Sequence, residues 1–249
     1  MRAVHDWTGK VALVTGGARG IGGATAQMLA ERGAEVLVLD RDLADAVRHD
    51  RIAARQGDVR DAGWLREVAE AALARHGRID ALVNNAGAEL TASAEDTRPE
   101  DWERVLAVNV TGALNAAQAV LPAMRAAGGG AIVNVASISG LLGWPASTAY
   151  CTAKGAVIQL TRQLAVDLGA HGIRVNAVCP GTTLTPMIER LFAEMPDPEA
   201  GRAGIADRHP LGRFATPAEI AAAIVYLASD AASFVTGAIL PVDGGYTAK

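Results

Sequence analysis

Short apolar runs rich in β-branched residues alternate with longer segments of helical period along nearly the whole chain, and few folds satisfy that alternation. Val11–Val14, Glu35–Leu39, Ile79–Val83, Ala131–Val135, Ile173–Val178 and Ala238–Leu240 read as strands, with a weaker one just before Asp58. Most are apolar on both faces, as strands covered by helices on each side must be. Periodicity places helices at about 20–32, 62–76, 98–126, 150–169 and 217–229. Thr216-Pro217-Ala218-Glu219 supplies an N-cap, a first-position proline and a glutamate able to reach back, and Thr97 with Glu100 offers a similar box. The pattern predicts an α/β architecture, a doubly wound parallel sheet of about seven strands, with its ligand beyond the carboxyl ends of the strands.

No repeat or low-complexity linker divides the 249 residues, so one domain is expected over 1–249. Half the residues are hydrophobic and a fifth are charged, which excludes a disordered chain. The net charge is −4 and no cluster of Lys and Arg stands out, so neither nucleic acid nor an anionic membrane is expected as partner. Two cysteines, Cys151 and Cys179, make neither a disulfide framework nor a metal site. The start, Met1 to Asp6, holds no apolar stretch of signal type. The charge-free run from Ala126 to Ala153 contains three glycines in a row and Pro145, so it reads as loop, strand and loop rather than a membrane helix. A soluble, cytoplasmic protein is expected.

Directly after the first strand comes Thr15-Gly16-Gly17-Ala18-Arg19-Gly20-Ile21-Gly22, and then a helix. Glycines there let the backbone turn and approach a pyrophosphate, and the helix N-terminus offers N–H groups and positive potential. Gly16, Arg19, Gly20, Ile21 and Gly22 are the candidate cradle. Asp40 ends the second strand 18 residues after Gly22, near the offset at which an acid accepts from the adenosine ribose hydroxyls. Its charge repels a 2′-phosphate and favours NAD over NADP, whereas neighbouring Arg41 is able to hold such a phosphate. The plainer reading is that Asp40 caps the turn with Asp42. Asp58-Val59 and Asn84-Asn85-Ala86-Gly87 also follow strands, and serve either adenine and ribose or their own turns.

Tyr150 and Lys154 are four apart at the start of a helix, so they share a face. A free tyrosine titrates near ~10, too high for acid–base work at neutrality, and a neighbouring ammonium favours the phenolate. Ser137 lies at the end of the strand Ala131–Val135, where a hydroxyl is placed to position a substrate oxygen. Asn109 falls on the apolar side of its helix, after Val105 and Leu106. A buried amide needs partners. It satisfies a backbone carbonyl, holds a water leading to Lys154, or does both.

Together, the segment 15–22, the Asn84–Gly87 turn, Asn109, Ser137, Tyr150-Cys-Thr-Ala-Lys154, Pro180-Gly181 and the ending Val235–Gly245 resemble the classical short-chain dehydrogenase/reductases, in the family's order over about residues 8–247. The resemblance implies a Rossmann-type fold and a nicotinamide cofactor. It implies that Asn109, Ser137, Tyr150 and Lys154 carry proton transfer coupled to hydride transfer, with Lys154 also on the nicotinamide ribose. It places Pro180–Thr185, with Gly181, Thr183 and Thr185, against the nicotinamide. It further implies a homotetramer built through helices 98–126 and 150–169 and the C-terminal strand region. Thr183 departs from the Ile or Val common in the family.

Substrate contacts are expected from Ser139, Trp144, Met187 and Leu191, with Glu89-Leu90 also at the pocket and Arg208 as a carboxylate anchor. The segment 185–213 reads as a lid over substrate, or as a helical excursion against a neighbouring subunit. The expected reaction interconverts a small polar secondary alcohol, of polyol or sugar-acid type, and its ketone. Alternatives are an NADPH-dependent 3-oxoacyl-thioester reductase and, outside oxidoreductases, a nucleotide-sugar epimerase or dehydratase or a catalytically silent NAD sensor. The epimerases carry a different glycine spacing and an added sugar-nucleotide domain. A silent sensor is expected to lack one of the four residues, all of which are present here.

Overall fold

The computed structural model describes residues 6–193 and 197–249, and the side chains of Met187, Arg190 and Leu191 lie outside that description. Seven strands, β1 (Val11–Thr15), β2 (Glu35–Asp40), β3 (Ile52–Gln56), β4 (Ala81–Asn84), β5 (Gly130–Val135), β6 (Ile173–Pro180) and β7 (Ile239–Val242), form one sheet in the order 3-2-1-4-5-6-7. Every neighbouring pair is parallel. The order reverses between β1 and β4, which opens a crevice at their carboxyl ends.

Helices cover both faces, as the two-sided apolar strands require. On one face α2 (Ala62–His76), α4 (Gly112–Ala126) and α5 (Thr148–Leu168) set Leu65, Val120 and Leu164 on Leu13, Leu82 and Ile132. On the other, α1 (Gly20–Glu31) and α8 (Pro217–Ala228) set Leu29, Ile224 and Leu227 on Val14, Val38 and Val133. Each such side chain contributes about 1.5–3 kcal/mol on burial. The smaller helices α3 (Pro99–Leu106), α6 (Pro186–Ala193) and α7 (Pro198–Ala206) complete the set.

Two sequence expectations are corrected. The helix expected over 98–126 is interrupted by a π-turn at Ala107–Thr111, where the Gly112 N–H bonds to Ala107 O five residues back. Within that turn the Asn109 amide donates to Val105 O, a turn earlier in the chain, at 2.9 Å, and so competes for a carbonyl of the regular helical ladder. The cap expected from Thr97 and Glu100 does not form. Pro99 occupies the first helical position, so Arg98 is the N-cap, and the Thr97 hydroxyl turns back to Ser93 O at 2.6 Å. The Thr216–Glu219 capping box forms as expected. The run Pro99–Ala126 is, by length and a mean hydropathy of 1.3, the one described helix apolar enough to cross a membrane; α4 within it packs on α2 and the sheet. Cys151 and Cys179 are unbridged.

Candidate active site

A cleft of 650 Å³ runs along the carboxyl edge of the sheet, from Gly16, Asp40 and Asp58 at one end to Ser137, Tyr150 and Lys154 at the other. At the first end β1 enters Gly16 with φ +60°, and a Cβ there lies 2.8 Å from Ala86 Cα. A Cβ at Gly22 lies 2.3 Å from Gly16 O. Only glycine lets α1 start so close to the Asn84–Gly87 turn. Among the described residues no side chain caps the first N–H groups of α1, which leaves them and the helix dipole for an anion.

Asp40 performs the plainer of its two roles and also faces the cleft. Its Oδ2 accepts from Ala18 N–H at 3.1 Å and its Oδ1 from Asp42 N–H at 3.2 Å. Arg19 pairs with Asp42 at 3.1 Å, and Arg41 lines the cleft beside it. Arg60 grips Asp58 at 2.6 Å, and that bond holds the Asp58 carboxyl below the usual range. Val59 fills the space over Gly112, and Asn115 donates to Val59 O at 3.2 Å. Asn85 braces the glycine turn, because its amide donates to Gly16 O at 2.8 Å and Thr15 O at 3.2 Å. The N–H groups of Asn85 and Ala86 go to the Thr15 hydroxyl at 3.0 and 3.1 Å. Thr15 ties the first and fourth strands' turns together, a role its sequence position did not reveal.

At the chemical end α5 presents Tyr150 and Lys154 on one face. Lys154 is 5% exposed, and its Nζ donates to Val135 O at 2.9 Å and lies 5.6 Å from the centre of the Tyr150 ring. Burial pushes the Lys154 ammonium down to about 8. Burial also raises Tyr150 above its ordinary value, the Glu89 charge adds to that, and a hydrogen bond with Ser137 opposes it. Ser137 follows β5, and its Oγ accepts the Ser139 N–H at 3.1 Å. Asn109 donates to Ala88 O at 2.8 Å as well as to Val105 O, while its buried Oδ1 has no partner among the described residues. A Cβ on Gly87 lies 3.1 Å from that Oδ1 and 3.6 Å from Lys154 Nζ, so both atoms border the same small space. Behind it, Asn84 donates to Asn134, and Asn134 to Thr161, each at 2.9 Å, locking β4, β5 and α5 together.

The loop Pro180–Thr185 walls the cleft. The Thr183 hydroxyl, which no Ile or Val supplies, donates to Gly181 O at 3.0 Å and closes the turn. His209, 2% exposed, accepts the Thr182 N–H at Nε2 at 3.2 Å. Its Nδ1 lies 3.0 Å from Ile205 O, so with Nε2 accepting, the ring hydrogen sits on Nδ1. Thr185 Oγ1 accepts Ile188 N–H at 3.4 Å at the start of α6. The loop's dependence on His209 was not foreseen.

Among the expected substrate contacts, Ser139, Trp144 and Glu89 line the cleft. The side chains of Met187 and Leu191 fall outside the described residues; Ile188, Phe192 and Ile205 present apolar surface from the same segment. Leu90 is corrected: half-buried and absent from the cleft lining, it packs against Val105, Ala149 and Ala153. Arg208 is corrected as well. Its guanidinium lies 5.3 Å from the Trp144 ring centre and is absent from the cleft lining, so it supports Trp144 instead of anchoring a carboxylate.

Comparison with known proteins places the chain. Residues 16–247 match the family described as Enoyl-(Acyl carrier protein) reductase. A cis-4-hydroxycyclohexanecarboxylate dehydrogenase of Sinomonas cyclohexanicum is 48% identical over 96% of this chain and 97% of its own. A 3-oxoacyl-[acyl-carrier-protein] reductase of Thermotoga maritima is 42% identical over 95% of this chain and 97% of its own. The ligand-free aldohexose dehydrogenase of Thermoplasma acidophilum superposes with a TM-score of 0.92 at 32% identity, over 99% of this chain and 97% of its own. The chain therefore belongs to the classical short-chain dehydrogenase/reductases, a family of oxidoreductase enzymes.

Proposed function

We propose that the protein oxidises a small secondary alcohol to its ketone, reversibly, with NAD. The observation that carries this reading is the single cleft that joins an uncapped glycine turn and Asp40 to Ser137, Tyr150 and Lys154. The residues fit a dinucleotide. Gly16, Arg19, Gly20, Ile21 and Gly22 cradle its phosphates, Asp40 accepts from the adenosine ribose, and Asp58, Val59, Asn85, Ala86 and Gly87 wall the adenosine half. Pro180, Gly181, Thr183 and Thr185 face the nicotinamide, with Lys154 on its ribose. The bound cofactor supplies the hydride chemistry.

The chain's own residues manage the proton. Ser137 orients the carbinol oxygen, and Tyr150 as phenolate removes its proton. The Lys154 ammonium favours that phenolate. Asn109 Oδ1, buried and without a partner among the described residues, holds a water that passes the proton on from Lys154. The segment 185–213 covers the substrate, with Ile188, Phe192 and Ile205 excluding water.

A panel of secondary alcohols read by NADH absorbance, run with NAD and with NADP, tests the assignment. Turnover of alcohols with a clear preference for NAD is expected, because Asp40 repels a 2′-phosphate. The second reading, an NADPH-dependent 3-oxoacyl-thioester reductase, is favoured by the Thermotoga relative and by Arg41 beside Asp40. Preference for NADPH and a 3-oxoacyl thioester selects it. The homotetramer, the cytoplasmic location and one domain over 1–249 belong to the same proposal.

A further inference from the structure

Among the described residues Glu89 is the one carboxylate lining the chemical end of the cleft, and the mechanism above does not use it. It follows the Asn84–Gly87 turn, is half-buried, and lines the same space as Ser137, Tyr150 and Trp144. No hydrogen bond or ion pair with the described residues holds it. Burial raises its carboxyl above the ordinary range, and Lys154 opposes that only at a distance. The other described charged groups nearby are committed elsewhere. Lys154 donates to Val135 O, Arg104 turns to Asp101 on its own helix at 3.4 Å, and Arg208 lies on Trp144.

A carboxylate in a drying cleft without a donor is costly, and a ligand O–H relieves that cost. An ionised carboxylate accepts and does not donate, so it selects hydroxyls and rejects anions. We propose that Glu89 sets substrate choice by accepting a hydrogen bond from a second hydroxyl next to the carbinol being oxidised, so that the substrates are neutral diols and polyols, not hydroxy acids. This rests on the oxidoreductase reading above. Between the two substrate types left open by the sequence, polyol and sugar acid, it selects the polyol. The loss of Arg208 as an anion anchor agrees with that choice.

The test compares cis-1,2-cyclohexanediol, cyclohexanol and 4-hydroxycyclohexanecarboxylate in the wild type, Glu89→Gln and Glu89→Leu, each at the pH plateau of its own profile. The wild type is expected to favour the diol over cyclohexanol by about 10- to 100-fold in kcat/KM, the range of a hydrogen bond to a charged group. Glu89→Leu loses that preference, its kcat/KM for the diol falling to within about threefold of its own value for cyclohexanol. Glu89→Gln retains part of the diol preference through its amide oxygen and gains on the acid. A wild type that turns over cyclohexanol or the acid as well as the diol overturns the proposal. So does a Glu89→Leu variant that loses all three substrates equally, which marks a merely structural role. Thermal shifts of the NAD-loaded proteins separate the two layers of the claim. If no alcohol is oxidised yet the diol stabilises the wild type and not Glu89→Leu, the oxidoreductase reading fails and the Glu89 site stands. If the diol stabilises neither or both, Glu89 is not its acceptor.

Discussion

Tyr150 is held in a state opposite to the one it needs. Burial and the Glu89 charge both keep its proton on, and Lys154, itself pushed down to about 8 by burial, has little margin of charge to spare. The rate of alcohol oxidation therefore rises with pH as the phenolate forms. Replacing Glu89 by Gln removes a negative charge that disfavours both the phenolate and the loss of the Lys154 proton. Both limbs of the kcat/KM profile then move to lower pH, by about half a unit to one unit for a nearby charge. A profile unmoved in Glu89→Gln contradicts this coupling. Tyr150 and Lys154 were legible in the sequence because helical period alone puts residues four apart on one face. That Glu89 has no partner among the described residues was not legible, because it depends on Arg104 and Arg208 turning elsewhere.

At the level of elements, the wall of the cleft depends on contacts between distant segments. His209, beyond α7, fixes the loop after β6 by accepting the Thr182 N–H, and its ring packs against Tyr246 with centroids 5.1 Å apart. His209→Phe keeps the ring and removes both polar bonds, leaving a buried N–H unpaired. Stability is expected to fall by about 1–3 kcal/mol in denaturant titration. The KM for NAD is expected to rise about tenfold while kcat stays within about threefold, as for lost uniform binding. An unchanged KM assigns His209 to packing alone. The strands and long helices were readable in the sequence because two-sided burial imposes local composition on them. The π-turn and the failed Thr97 cap were not, since an asparagine competing for the Val105 carbonyl and a proline displacing a cap act locally against the period. The Thr15, Asn134 and His209 bonds join residues 70, 27 and 27 positions apart, beyond any local pattern.

On the scale of the whole molecule, the seven-stranded sheet explains where the site lies, and its surface bears on assembly. Val166 on α5 and Phe234 before β7 are 79% and 103% exposed, in two of the regions the family resemblance assigns to subunit contacts. Light scattering is expected to give a species of four chain masses, and a monomer contradicts that. The central claim is that one cleft brings a dinucleotide and an alcohol together at Tyr150. The most direct measurement is NADH formation from an accepted alcohol by Tyr150→Phe, alongside NADH binding followed by fluorescence. Turnover reduced by about 10³-fold or more with NADH affinity within about threefold is the predicted result, as for loss of a group acting only in the transition state. Turnover like that of the wild type contradicts the account.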